Sequence, residues 1–295
     1  MPRPLLGAHV SVAGGLHRAF ERGESLGCAA IQIFVKNPNQ WRQRALDPAA
    51  VESFRRARRE SSVRHVVAHA AYLINLAARD RSTLERSRRA LTDELIRCNR
   101  LGVDALVVHP GAHMERGEDR GLDRIADSLR RSLGWFAERE SRAGREPRTR
   151  LLLENTAGQG TVLGFRVSQL ARVVAALDPA MSLGLCLDTC HAFAAGYPLD
   201  RPRELGRLVR SIRTQLGAAE PSCIHVNDSR TPFASRRDRH ANVGAGSIGE
   251  DFFGRLVRSR ALRGVPLVLE TPLGADGKGH ARDLDRLRRL ASRRG

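Results

Sequence analysis

Lysine is almost missing from this chain of 295 residues: of its 50 basic side chains only Lys36 and Lys278 are lysines, and the rest are arginines. Against 32 acidic residues the formal charge is +18. A polyanionic partner such as nucleic acid is the first reading of that balance. So one-sided a use of arginine also fits a compositional bias, so charge alone assigns no partner. Also missing is any run of about 18 apolar residues, which argues against a spanning helix and a membrane partner. Residues 1–6 lack the basic-then-apolar pattern of a secretory leader, and a cytoplasmic protein is expected. The cysteines, Cys28, Cys98, Cys186, Cys190 and Cys223, are odd in number and include no C-x-x-C pair. A disulfide framework or thiolate zinc knuckle is therefore not expected, and they read as small core residues. No Gly-x-Gly-x-x-Gly follows the first apolar run and no Gly-x4-Gly-Lys-Ser/Thr occurs, so the common dinucleotide and nucleoside-triphosphate cradles are absent. No linker, repeat or low-complexity segment divides the chain, and one domain over residues 1–295 is expected.

What is present is a regular alternation. Short β-branched or apolar runs fall at residues 5–11, 30–36, 65–71, 105–111, 150–156, 182–190, 221–228 and 266–272. Helical signals lie between most of them. Ser82-Thr-Leu-Glu85 reads as a capping box, with Gly102 as the stop of the same helix. Asp47-Pro48 opens another with proline in its first turn. Leu122, Ile125, Leu129, Leu133 and Phe136 keep a three-to-four spacing, as do Leu205, Leu208, Ile212 and Leu216. The basic end, 286–295, reads as a solvated last helix and tail. Strands alternating with helices at this length predict a single (β/α)8 TIM barrel, with an open doubly wound α/β sheet as the alternative.

In such a barrel catalytic groups stand at the C-terminal ends of the strands. The third run reaches His69, the fourth His109, the fifth Glu154, the sixth Asp188 with His191 just beyond, the seventh His225 and the eighth Glu270; Asp238 and His240 lie in the long loop after the seventh. Carboxylates half-buried behind apolar runs need cations or hydrogen bonds. Imidazoles and carboxylates without thiolates suit zinc, manganese or iron, and nine donors exceed what one four-coordinate ion uses, so more than one metal is implied. Ions a few ångströms apart that clamp attacking and leaving oxygens are the standard machinery of phosphodiester hydrolysis. His9 ends the first run and lines the site or bonds to backbone; His17, His65, His113 and His280 read as surface or helix residues.

Longer segments carry a resemblance. Gly7-Ala-His-Val-Ser11, Lys36-Asn37 with Gln40-Trp41, Tyr72-Leu-Ile-Asn-Leu76, Val108-His-Pro-Gly111, Glu154-Asn-Thr-Ala-Gly-Gln-Gly160, Leu187-Asp-Thr-Cys-His-Ala-Phe-Ala-Ala-Gly196, His225-Val-Asn-Asp228, Asp238-Arg-His240 and Leu269-Glu-Thr-Pro272 resemble, in order, the signature blocks of the endonuclease IV family of apurinic/apyrimidinic endonucleases (AP endonuclease family 2). The resemblance implies a trinuclear zinc centre, with manganese as a possible substitute, in a monomeric DNA-repair enzyme of the deoxyribonuclease IV (phage-T4-induced) type. It would cut duplex DNA on the 5′ side of an abasic site, leaving a 3′-hydroxyl and a 5′-deoxyribose phosphate, and would remove 3′-blocking groups. By the same resemblance His69, His109 and Glu154 would hold one zinc. Glu154, bridging, with Asp188, His225 and Glu270 would hold a second, and His191, Asp238 and His240 the third. Glu154 and Glu270 would be the catalytic carboxylates, and Lys36, Asn39, Trp41 and Tyr72 would face DNA.

Two positions depart from the family pattern. Asn39 stands where an arginine commonly enters the duplex, and His69-Ala70-Ala71-Tyr72 keeps the tyrosine of a His-Asp-Ser-Tyr block without its two polar neighbours. The departures bear on DNA distortion more than on hydrolysis. The rival from another class is a single-metal sugar isomerase or epimerase using Glu154, Asp188, His225 and Glu270, which leaves the other donors surplus. A non-catalytic nucleic-acid-binding barrel explains the charge but not the donors.

Overall fold

The structure, a computed structural model, describes residues 4–42, 44–179, 181, 183–217 and 221–293. The strands are β1 (Leu5–His9), β2 (Ala30–Ile33), β3 (His65–His69), β4 (Ala105–Val108), β5 (Arg150–Glu154), β6 (Leu183–Asp188), β7 (Cys223–His225), β8 (Asp228–Ser229), β9 (His240–Ala241) and β10 (Pro266–Leu269). Every expected apolar run holds a barrel strand; Ser182, which opens the sixth run, lies outside the described residues. Eight strands close into a barrel in the order β1-β10-β7-β6-β5-β4-β3-β2, each pair parallel and β1 bonded to both β10 and β2. The fold is thus a single (β/α)8 TIM barrel, and the open sheet is excluded by closure. The expected long loop after the seventh strand instead forms a two-stranded antiparallel ribbon, β8 with β9.

The outer layer comprises α1 (Arg18–Ser25), α2 (Pro48–Glu60), α3 (Arg81–Leu101), α4 (Glu118–Arg142), α5 (Val167–Ala175), α6 (Thr189–Ala195), α7 (Glu204–Leu216), α8 (Glu250–Val257) and α9 (Gly279–Ser292). None of the described helices is long and apolar enough to cross a membrane. Helix α2 starts as its sequence predicts: Asp47 accepts from the Ala49 amide at 3.1 Å and Pro48 occupies the first turn. Helix α3 starts before its apparent capping box. Asp80 accepts from the Thr83 amide at 2.6 Å, so Ser82 lies inside the first turn and caps nothing. Gly102 closes that helix with φ of +78°, a left-handed conformation that glycine adopts without strain. The basic C-terminal segment is solvated on one side only, because Leu284, Leu287 and Leu290 of α9 are buried against the barrel; residues 294–295 lie outside the described residues.

Strand periodicity positions the site. Side chains alternate between the barrel interior and the helical layer, and Ala30, Val67, Val107, Leu152, Cys186, Cys223 and Val268 form one buried cluster inside the barrel. Their neighbours Ile31, Val66, Leu106, Leu151, Leu153, Leu185, Ile224 and Leu267 belong to the larger core shared with the helices. Gly7 completes the tight interior on β1: a Cβ there would lie 2.1 Å from the Ala30 carbonyl oxygen, so the strands meet this closely only with glycine. All the cysteines are buried free thiols. Two residues beyond each interior residue, on the same face of each strand, stand Gln32, His69, His109, Glu154, Asp188, His225 and Glu270. The packed apolar floor therefore carries a ring of polar side chains at the C-terminal mouth.

Candidate metal centre at the barrel mouth

Glu154, fully buried at the end of β5, sits at the centre of this ring. Its Oε2 lies 3.2 Å from His69 Nε2 and 3.1 Å from His109 Nε2. Its other oxygen, Oε1, lies 2.9 Å from His225 Nδ1 and 3.4 Å from His191 Nδ1. His225 Nδ1 is also 3.2 Å from Glu270 Oε2. One carboxylate thus faces two sets of donors from its two oxygens. The last three residues arrive on other elements. Asp188 ends β6 and caps α6, accepting from the His191 amide at 2.7 Å, which turns the His191 ring into the mouth. The β8–β9 ribbon brings in His240 and the loop residue Asp238: His191 Nε2 is 3.2 Å from Asp238 Oδ2, and His240 Nε2 is 3.3 Å from Asp238 Oδ1.

The groups of imidazole and carboxylate donor atoms within 4.8 Å of one another are His69, His109 and Glu154; Glu154, Asp188, His225 and Glu270; and His191, Asp238 and His240, while the buried thiols of Cys186 and Cys223 lie as near His225, and that of Cys190 as near Asp188 and His240. Glu154 belongs to the first two. All nine donors expected from the strand ends and the loop are brought to this one mouth.

Charge is finely opposed here. Burial alone would raise the Glu154 carboxyl, but His225 and His109 outweigh it and hold it well below the usual carboxylate range. Burial would lower the imidazoles of His225 and His191; Glu270 and Glu154 for the first, and Asp188 and Asp238 for the second, instead push both well above theirs. Asp238 is held down to about 2 because His191 and His240 overcome its burial. Four carboxylates this close require positive charge among them. Protons on the imidazoles supply it in one state and divalent cations would supply it in another. The Nε2 atoms of His191 and His240 are buried and make no hydrogen bond, as expected of imidazole nitrogens aimed at a cation. The donor set therefore fits metal ions of the zinc class.

Outer partners fix the donors. His69 Nδ1 is 2.8 Å from the Ala70 carbonyl and His191 Nδ1 2.9 Å from the Asn155 carbonyl, leaving each Nε2 free to face inward. The Asn227 side chain donates to Asp188 Oδ2 at 2.6 Å and accepts from the Glu270 amide at 2.9 Å. Gln32 escaped the sequence reading: it is fully buried, its Nε2 donates to Glu270 Oε1 at 2.6 Å and lies 3.1 Å from His9 Nδ1, and its Oε1 accepts from His225 Nε2 at 2.8 Å. The signal was its phase, two residues past interior Ala30. His9 also approaches Glu270 Oε1, at 3.8 Å. Gln32→Leu keeps the volume and removes all three bonds. It should weaken zinc binding by about 10- to 100-fold, as loss of outer-sphere partners generally does, read by competition with a chromogenic chelator. Unaltered affinity would show that Gln32 orients nothing.

The remaining expected residues divide. Tyr72 is 67% exposed beside the site, its ring 5.4 Å from Phe34 and 6.2 Å from His69. Asn39 is exposed. Trp41 is half-buried against the core with the Arg86 guanidinium 5.3 Å from its ring centre. Lys36 was expected to face DNA, but its side chain is only 4% exposed and its amine pairs inward with Glu94 at 3.4 Å, because a fully buried carboxylate draws it there. His280 was read as a surface or helix residue; it lies in α9 but is buried, with Nε2 2.9 Å from the Thr271 carbonyl.

A parallel (β/α)8 barrel whose mouth gathers carboxylates and imidazoles in this way defines a TIM-barrel protein with a candidate metal centre. The family described as xylose isomerase-like TIM barrel matches residues 20–290. "Probable endonuclease 4" of Chloroflexus aurantiacus is 41% identical over 287 residues, 97% of this chain and 98% of that protein. The protein of the same description from Citrifermentans bemidjiense is 41% identical over 95% of each chain. The crystal structure of endonuclease IV from Thermus thermophilus superposes with a TM-score of 0.83 at 37% identity, over 97% of this chain and 98% of that one. The chain belongs to the endonuclease IV family. A D-tagatose 3-epimerase-like protein, at 19% identity and a TM-score of 0.72, shares the fold alone.

Proposed function

We propose that this chain is a zinc-dependent endonuclease of DNA repair. It hydrolyses the phosphodiester bond 5′ to abasic sites in duplex DNA, leaves a 3′-hydroxyl and a 5′-deoxyribose phosphate, removes 3′-blocking groups, and acts as a cytoplasmic monomer. The observation that carries the reading is that the nine donors fall into three groups, two of which share Glu154 through its two oxygens. His69, His109 and Glu154 would hold one ion, Glu154, Asp188, His225 and Glu270 a second, and His191, Asp238 and His240 a third; manganese suits the same donors. Bound ions there supply Lewis acidity toward a phosphate, an activated water at neutral pH and stabilisation of the leaving oxygen.

The chain's own residues do the rest. Glu154 and Glu270 are the catalytic carboxylates, Glu154 by fixing the relation of the two groups it shares. Asn227, Gln32 and the Asn155 carbonyl hold the donors rigid. Exposed Tyr72 beside Phe34, with Asn39 and Trp41 of the loop after β2, would fill a stack from which a nucleotide has been extruded. Exposed arginines without acidic partners stand beside the same mouth. Arginines on the helical flanks are widely paired with acids, as in Arg139 with Asp93 and Arg172 with Asp123. The β8–β9 loop exposes Arg230, Arg236, Arg237 and Arg239, which make no ion pair among the described residues. Log affinity for abasic duplex should therefore fall linearly with log salt, by roughly 0.9 per neutralised phosphate; a flat dependence would reduce the +18 charge to a compositional trait.

Zinc content separates this reading from a one-metal epimerase using only Glu154, Asp188, His225 and Glu270: elemental analysis should give about three ions per chain rather than one, and none would favour a non-catalytic binder. Asn39 supplies a further test. It is shorter than the arginine it replaces and lacks its planar charge. Asn39→Arg should tighten binding to abasic duplex by about 1 kcal/mol with little change in the plateau rate of single-turnover cleavage. Weaker binding, or a change in the plateau alone, would remove this loop from the DNA interface.

A further inference from the structure

Lys36 and Glu94 form a nearly solvent-free ion pair that the proposed chemistry does not use: the lysine side chain is 4% exposed, the glutamate side chain 0%, and their charged atoms are 3.4 Å apart. Their remaining contacts are with loop backbone at the mouth. The Lys36 amine also donates to the Trp41 carbonyl at 3.4 Å, closing the loop after β2 on itself. Glu94, halfway along α3, accepts from the Ala71 amide with Oε2 at 3.1 Å, next to Tyr72 in the loop after β3. One turn further on, Arg97 donates to the carbonyls of Val35 at 3.1 Å and Arg44 at 2.9 Å, so the same helix grips both sides of the first loop. A single carboxylate thus joins the segment bearing Asn39 and Trp41 to the segment bearing Tyr72.

We infer that the Lys36–Glu94 pair is a positioning device that holds these two loops in a fixed relation, and that Lys36 does not touch DNA. The inference rests on the proposed endonuclease reading for what the loops face. A buried ion pair adds little net stability, whereas removing one partner strands the other and is strongly destabilising. Burial raises the Glu94 carboxyl to about 7 against the pull of Lys36, with smaller help from the Ala71 amide. Were Lys36 to swing out to a phosphate, Glu94 would be left in the core without a cation and would take up a proton.

Hydrogen exchange on the free protein tests the coupling without reference to activity. Lys36→Met alters the first loop only, yet peptides spanning 70–76 should exchange about tenfold faster while those of α7 and α8 stay unchanged. The charge-neutral Lys36→Met/Glu94→Gln variant avoids a stranded carboxylate, should fold, and should show an effect no larger than that of the single substitution, since both break one linkage. Wild-type exchange in both variants, or a double effect equal to the sum of the Lys36→Met and Glu94→Gln effects, overturns the inference. On abasic duplex the half-saturating enzyme concentration should rise about tenfold for Lys36→Met, with the plateau rate of cleavage, bound zinc and the salt slope as in the wild type; a slope shallower by about 0.9 would put Lys36 on a phosphate and overturn it. Failure of the wild-type protein to cut would sink the endonuclease reading, while the exchange arm still decides the coupling.

Discussion

Glu154→Ala should lose both zinc and cleavage, and lose more of each than any other single substitution at the mouth. The carboxylate is fully buried and turns Oε2 to His69 and His109 and Oε1 to His225 and His191. Its removal takes a charged donor from two groups at once and leaves buried imidazoles facing one another without the anion that holds them. Single-turnover cleavage should fall by on the order of 10³-fold, the upper end of what loss of one preorganised oxyanion-stabilising group costs in acyl transfer. Elemental analysis should show depletion of the two groups that share Glu154. His240→Ala should chiefly empty the group of His191 and Asp238, which does not include Glu154. Equal zinc in wild type, Glu154→Ala and His240→Ala would contradict the partition.

Glu270→Gln should separate chemistry from binding. Glu270 takes Gln32 on one oxygen at 2.6 Å and faces His225 with the other at 3.2 Å. The substitution keeps the shape but removes the charge and turns an amide into a space shared with another amide donor. Cleavage should fall by more than about 100-fold. On the proposed reading the loops above carry the affinity for abasic duplex, which should stay within about threefold. Activity within about tenfold of wild type would remove Glu270 from the catalytic set.

How far the sequence reveals these sites depends on what each residue's placement requires. The strand-end donors are legible because a strand of period two carries its phase forward: once Val67, Leu152 and Cys186 are inside, His69, Glu154 and Asp188 must be inside too. Gln32 obeys the same rule and was passed over because a glutamine within an apolar run, ending in no charge, reads as a solvent-facing alternation. Lys36 differs for another reason. The resemblance places it among the DNA-facing residues, and no local pattern shows that Glu94, on a helix distant in sequence, engages its amine. The β8–β9 ribbon is too short to carry a period, and it forms because Asp228 gathers the amides of Ser229, Gly246 and Ile248 at 2.7, 3.0 and 2.9 Å, a contact set by tertiary closure. The cap of α3 shows local competition: Asp80 and Ser82 are both good caps, and the earlier one wins.

The most direct test uses a labelled duplex carrying one tetrahydrofuran abasic analogue. The protein should make a single cut on the 5′ side of the analogue and leave a 3′-hydroxyl that a polymerase extends; a strong chelator should abolish the cut and added zinc should restore it. No cut, a cut on the 3′ side, or cleavage indifferent to the chelator would contradict the account.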